Sequence, residues 1–282
     1  MRQRLLAMFA SLALAFPAGA EEASDLNALM TAYEAQGWEG VGRLNIGRTG
    51  MCTGALISPK LVLTAAHCVL DQRTGRQVSP SFVEFLAGWR NGRASAYRDV
   101  RRIVVHPDYE LTRPGDDLKV ANDVALLELE SPIRLANVQP FDTAGRPRKG
   151  SSVGVVSYAH DRSETPSLQE VCHVLARQKG TLILSCEVDF GSSGSPIFAE
   201  VDGEPRIVSV VSAKATVRGR PVSLGTNLER PLADLMALMN TAPGELGPTA
   251  TSPRRVGVSS GVRREPPGSG ATSSGGAKFL KP

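Results

Sequence analysis

Residues 52–68 read CTGALISPKLVLTAAHC. Two apolar runs, CTGALISP and LVLTAAH, meet at Pro59 and Lys60, and the second ends in His67 followed directly by Cys68. Short runs rich in Leu, Ile and Val that stop at a turn residue have the length of strands, not helices. The same texture continues in both directions. Upstream lies GVGRLNIG (residues 40–47). Downstream come FVEFLAG (82–88), DVRRIVVHP (99–107), DVALLELE (123–130), SSVGVVSY (151–158), VCHVLAR (171–177), TLILSCEV (181–188), SPIFAE (195–200), RIVSVVSA (206–213) and SLGTNL (223–228). About a dozen such runs, punctuated by Gly, Pro and Asp, argue for an all-β chain of barrels or a sandwich and against an α/β unit. Two stretches carry helical periodicity, DLNALMTAYEAQ (25–36) and RPLADLMALMN (230–240). Between the strand groups, FDTAGRPRKGSS (141–152) and the Pro140 before it supply the Pro140, Gly145, Pro147 and Gly150 of a connector, which predicts lobes at about 40–140 and 150–230.

The two ends differ from the middle. Residues 1–20 carry Arg2 and Arg4, an apolar run from Leu5 to Phe16, and the small residues Ala18, Gly19 and Ala20. This is the pattern of a secretory signal peptide cut after Ala20, and the run is shorter than the roughly 20 residues a spanning helix needs. Residues 21–39 then form an N-terminal segment, a candidate propeptide. From residue 242 to 282 the chain is rich in Pro, Gly, Ser and Thr and poor in large apolar residues, the composition of a disordered tail. The formal net charge is +4, but six basic residues against two acidic ones in the tail, and Arg2 and Arg4 in the signal, account for more than all of it. The part between them is left near −2. A basic nucleic-acid surface is therefore not expected, nor is a stable membrane anchor after signal cleavage.

Cys52, Cys68, Cys172 and Cys186 all lie in the exported middle, where an oxidising compartment favours disulfides. Near-neighbour pairing gives Cys52–Cys68 and Cys172–Cys186, although four cysteines allow three connectivities. The absence of C-x-x-C pairs and dense His/Cys clusters speaks against zinc.

The chemistry concentrates in three stretches: LTAAHCV (63–69), NDVALLEL (122–129) and GSSGSP (191–196). A serine hydroxyl attacks at neutral pH only with a base in reach and a group that fixes the tautomer of that base. His67, Asp123 and a serine of the Gly-rich turn supply those three chemical types. Each alone has a plainer explanation as a strand-end histidine, a turn aspartate or loop filler.

Together they resemble the chymotrypsin-like (trypsin-like) serine endopeptidases across nearly all of Gly40 to Met239, closest in motif style to the bacterial branch that includes the glutamyl endopeptidases. CTGALISPKLVLTAAHC matches that family's hairpin to the histidine and supports a Cys52–Cys68 bridge. IVVHPDY and NDVALLEL resemble the segment with its aspartate, and IVSVVSA followed by GTNL its cleft-lining strands. The resemblance implies two six-stranded antiparallel β-barrels with the active site in the cleft between them, and a short C-terminal helix. It implies an exported or periplasmic serine endopeptidase domain over 40–241 acting on proteins or peptides as a monomer, without metal or organic cofactor. His67, Asp123 and Ser193 take the catalytic positions, and the N–H groups of Gly191 and Ser193 the oxyanion hole. His106, before a proline, takes a structural position.

Two departures matter. Ser192 stands where digestive members have an aspartate that pairs with a freed amino terminus, so activation by that ion pair is not expected. Glu187 falls where trypsin-like members place a pocket carboxylate, with Ser212, Ala213 and Lys214 along the pocket wall. Lys214 is close enough in this alignment to neutralise Glu187. Val211 occupies the place of the glutamyl endopeptidases' histidine, which argues against glutamate preference. Two rival readings use the same residues. A catalytically inactive homologue acting as a binding protein would normally lack a triad member. An esterase is suggested by the literal G-x-S-x-G in GSSGS, but it requires histidine and acid after the serine.

Overall fold

The computed structural model describes residues 23–111, 120–241 and the pair 278–279. The expected signal peptide lies outside the described residues, as does the tail apart from Lys278–Phe279. No helix among the described residues is long and apolar enough to cross a membrane.

The first strand, β1 (Asn27–Ala28), is short. In β2 (Val41–Ile46), Leu44 is buried while its neighbours Arg43 and Asn45, which point to the opposite face, keep partial contact with solvent. It joins β3 (Gly50–Ser58), β4 (Leu61–Thr64), β7 (Ala125–Leu129), β6 (Ala96–Val105) and β5 (Val83–Ala87), in that spatial order, as a closed antiparallel barrel. Leu44, Leu56, Val62, Phe85 and Leu126 fill it without measurable exposure.

The second sheet runs through β9 (Arg162–Gln178), β10 (Thr181–Leu184), β13 (Arg220–Asn227), β12 (Glu204–Val217), β11 (Pro196–Val201) and β8 (Ser152–Ala159). Pairing of β8 with β9 closes this ring as well, around Val155, Leu182, Leu184 and Ile197. Closure leaves few sheet edges open. Two short strands lie outside the ring: β1 on β9, with Asn27 opposite Leu168, and β14 (Lys278–Phe279) on β12, with Phe279 opposite Ala215. Trp38, Phe141 and Phe198 make an aromatic joint between the lobes, with ring centroids 5.0 Å apart for Trp38–Phe198 and 4.8 Å for Phe141–Phe198.

Helix α1 (Glu229–Asn240) forms where RPLADLMALMN predicts it. The Arg102 guanidinium from β6 donates to the carbonyls of Leu238, Met239 and Thr241, satisfying groups the helix end leaves open. The other helical expectation is corrected. DLNALMTAYEAQ contains β1 and a series of turns, not a helix. The open edge of β9 captures Asn27 and Ala28, and this tertiary pairing outweighs the helical pattern, burying Leu29 and Ala35 while Met30 and Tyr33 stay exposed.

Disulfides join Cys52 to Cys68 and Cys172 to Cys186. The first ties β3 to the turn after β4, and the second fastens β9 to the segment leaving β10. Their sequence separations, 16 and 14, are small and similar. Chain-entropy reasoning then gives each about 3 kcal/mol. Urea unfolding of the Cys172→Ala/Cys186→Ala variant should show a loss of that size.

Candidate active site

In the first barrel, β4 and β7 run antiparallel with Thr64 opposite Ala125. The chain leaving β4 and the chain about to enter β7 therefore meet at one end of the barrel. His67, in the 3₁₀ turn Ala66–Val69, is three residues past Thr64, and Asp123 is two residues before Ala125. Strand register brings the two together. Asp123 Oδ2 lies 2.7 Å from His67 Nδ1, and Asp123 Oδ1 accepts the His67 main-chain N–H at 2.9 Å. Asp123 is 2% exposed. Accepting the Nδ1 proton leaves Nε2 as the free lone pair of a neutral imidazole, which is what a base needs.

The second barrel adds a third donor. Ser212 Oγ, on β12, donates to Asp123 Oδ2 at 2.5 Å. Sequence reasoning placed Ser212 on the pocket wall and missed this contact. The signal for it is small: a hydroxyl residue beside Val211, whose backbone bonds to the serine turn.

That turn, Asp189–Ser195, is held from several sides. Thr53 N–H donates to the Ser193 carbonyl at 2.9 Å, and Gly194 N–H to the Val211 carbonyl at 2.8 Å. Thr53 Oγ1 donates to the Gly191 carbonyl at 3.0 Å and accepts Tyr158 N–H at 3.1 Å. Thr64 Oγ1 donates to the Thr53 carbonyl at 2.8 Å. Gly194 has φ +79°, and a Cβ on it would collide with Thr64 Oγ1 and the Thr53 carbonyl. Only glycine lets the turn lie this close to the segment that leads to His67. The three serines differ sharply. Ser192 and Ser195 are fully buried, whereas Ser193 keeps partial exposure. No hydrogen bond links Ser193 to His67 among the described residues, and such contacts in free enzymes often tighten only when substrate binds. The main-chain N–H groups of Gly191 and Ser193 find no protein acceptor among the described residues.

Of the pocket residues expected from sequence, Glu187 is exposed, and its main-chain N–H donates to Gln169 Oε1 at 2.8 Å. Lys214 Nζ pairs with Asp189 at 3.2 Å rather than with Glu187 and lies 6.0 Å from the centroid of the Phe190 ring. The Phe190 N–H, then Lys214, hold the Asp189 carboxyl below the ordinary carboxylate range. Ala213 stands between Ser212 and Lys214 on β12. Cys52 and Cys68 flank His67, but their sulfurs are bonded to each other and offer no thiolate to a metal. His106 is buried, with Nδ1 accepting the Asp108 N–H at 3.2 Å. Burial, reinforced by the Asp123 charge, raises the Tyr109 hydroxyl above its ordinary pKa and keeps it neutral beside this site.

Two closed barrels with a histidine–aspartate pair at their junction are the architecture of the chymotrypsin-like class. A family model described as Trypsin matches residues 30–227, and the chain belongs to that family. Venom serine protease 34 of Apis mellifera is 28% identical over 144 residues, covering 49% of this chain and 34% of that protein. The cercarial protease of Schistosoma mansoni is 29% identical over 163 residues, 52% of this chain and 57% of that one. This chain thus spans from a third to somewhat over half of these relatives' length. A solved Glu endopeptidase in complex with MPD superposes with a TM-score of 0.63, covering 76% of this chain and 97% of that one at 17% identity, a likeness of fold.

Proposed function

We propose that this chain is an exported serine endopeptidase in which Ser193, His67 and Asp123 form the catalytic triad. Ser193 Oγ attacks the peptide carbonyl carbon while His67 Nε2 takes its proton. The Gly191 and Ser193 N–H groups receive the oxyanion. The imidazolium, held against Asp123, gives the proton to the departing amine, leaving an acyl-enzyme. A water molecule, deprotonated by His67, then attacks the ester, and His67 passes that proton to Ser193 Oγ as the acyl–oxygen bond breaks and the acid leaves. The observation that carries this reading is the buried Asp123 carboxylate, bonded at once by His67 and, from the other barrel, by Ser212. Both disulfides suit the oxidising compartment that an export signal implies. The substrate pocket is assigned to Glu187, Ser212, Ala213 and Lys214, with the Lys214–Asp189 pair at its rim. Export is read from residues 1–20 and the monomeric state from the family resemblance.

A fluorophosphonate probe tests the nucleophile. The folded, secreted protein should be labelled once, on the peptide containing Ser193. Absence of labelling, or labelling at Ser192 or Ser195, removes the assignment.

A further inference from the structure

Ser192 takes the place of a carboxylate, yet a cation still reaches it. Arg162 Nη2 lies 3.4 Å from Ser192 Oγ and 3.1 Å from Ser157 Oγ, while Nη1 meets Asp161 at 3.1 Å. The Arg162 side chain is 16% exposed, and its Nε is buried without a partner. A guanidinium does not shed its proton, so placing it beside two neutral hydroxyls and a largely exposed aspartate is costly. That cost points away from stability as the reason for the placement.

Arg162 opens β9, directly across from Ala159 at the end of β8, so His160 and Asp161 make a tight two-residue turn. From this turn the His160 main-chain N–H donates to the Phe190 carbonyl at 2.8 Å. No cis peptide occurs among the described residues, and a trans peptide points its carbonyl and N–H in opposite directions. Fixing the Phe190 carbonyl toward the β8–β9 turn therefore aims the Gly191 N–H away from it. Arg162 fastens the same turn to the base of the serine loop through Ser157 and Ser192. The Asp189 N–H also donates to Ser192 Oγ, at 3.2 Å. The amino-terminal segment is engaged elsewhere, with Ser24 bonded to Val171 and β1 paired with β9.

We propose that Arg162 is a positioning residue for oxyanion binding: by clamping the β8–β9 turn onto Ser192 it holds the Phe190–Gly191 peptide with its N–H presented to the substrate oxygen. The inference rests on Ser193 being the nucleophile. It gives this chain a preformed hole that depends on an internal arginine instead of a freed amino terminus.

The test uses the full chain recovered after export, with p-nitrophenyl acetate turnover and the rate of fluorophosphonate labelling as readouts. In Arg162→Ala, kcat and the labelling rate should each fall about 10²-fold, the size of losing one oxyanion donor. KM should stay within about 2-fold, because the interaction lost is specific to the transition state. Guanidinium chloride at about 10 mM, well below denaturing levels, should restore several-fold activity, and Arg162→Lys should retain more than the alanine variant. A kcat within about 3-fold of the parent, or a rise in KM alone, overturns the proposal.

If Arg162→Ala does not fold, the unaltered protein still decides. A guanidinium keeps its proton throughout the mildly alkaline range, so kcat should be flat from about pH 8 to 9.5. A decline centred near the amino-terminal pKa of about 8 would transfer the role to an amine and overturn the proposal. Ser193→Ala, measured in parallel, separates the two ideas. Labelling that survives there sinks the nucleophile assignment, whereas a silent Ser193→Ala beside a normal Arg162→Ala sinks only the role of Arg162.

Discussion

In the Ser193→Ala variant, kcat for peptide hydrolysis should fall on the order of 10⁶-fold, with unfolding by urea unchanged within error. The two halves of this expectation come from different atoms of one residue. The Ser193 carbonyl, which accepts the Thr53 N–H, docks the turn and survives the substitution. The hydroxyl makes no hydrogen bond among the described residues, so removing it leaves no buried donor or acceptor unpaired. Ser192→Ala is a contrasting control. That side chain is fully buried and accepts from Asp189 and Arg162, so its loss should be felt in stability as well as in rate. Steady-state kinetics and denaturant titration on the two variants distinguish a nucleophile from a structural serine. A Ser193→Ala protein with more than about 1% of the parent kcat would rule out Ser193 as the nucleophile.

Asp123→Asn should lower kcat by about 10⁴-fold, the magnitude associated with this substitution in trypsin-like triads. The hydrogen-bond pattern explains why a nearly isosteric change is so damaging. All three partners of Asp123 are donors: the main-chain N–H of His67 to Oδ1, His67 Nδ1–H to Oδ2, and Ser212 Oγ–H to Oδ2. An asparagine must place its NH₂ against one of these sites. The His67 main-chain N–H cannot become an acceptor, so the amide oxygen stays there and the NH₂ faces Nδ1 and Ser212. Nδ1 then has to accept, which moves the imidazole proton to Nε2, where it blocks uptake of the Ser193 proton. Substrate contacts are untouched, so KM should change little while kcat collapses. Imidazole nitrogen chemical shifts should report the switched tautomer directly, and an unchanged tautomer would refute this account.

Most strands of both barrels were legible because their runs are short, apolar and bounded by turn residues, whereas the polar first half of β9, Arg162–Glu170, carries no such texture and was missed. The proximity of His67 and Asp123 was legible only through resemblance. The register that creates it, Thr64 opposite Ala125, is a property of barrel closure that periodicity does not encode. Residues 25–36 misled because helical spacing is a local signal, and the edge of β9 offered backbone partners that no local pattern reveals. Pocket counting gave Lys214 the wrong carboxylate. Glu187 and Asp189 are two residues apart in the chain, and only the path of the turn decides that Asp189 meets the amine. Arg162 gave no sequence signal. It lies 30 residues from Ser192, at the first position of β9 beside a hairpin turn whose composition is ordinary.

The Ser212–Asp123 and Thr53–Ser193 hydrogen bonds both cross from one barrel to the other. His67 and Asp123 belong to the first lobe, and Ser193 and Ser212 to the second. Until the lobes dock, the histidine has no serine to serve and the serine no base. On the proposed mechanism, hydrolytic competence is a property of the docked pair of lobes and of neither lobe alone.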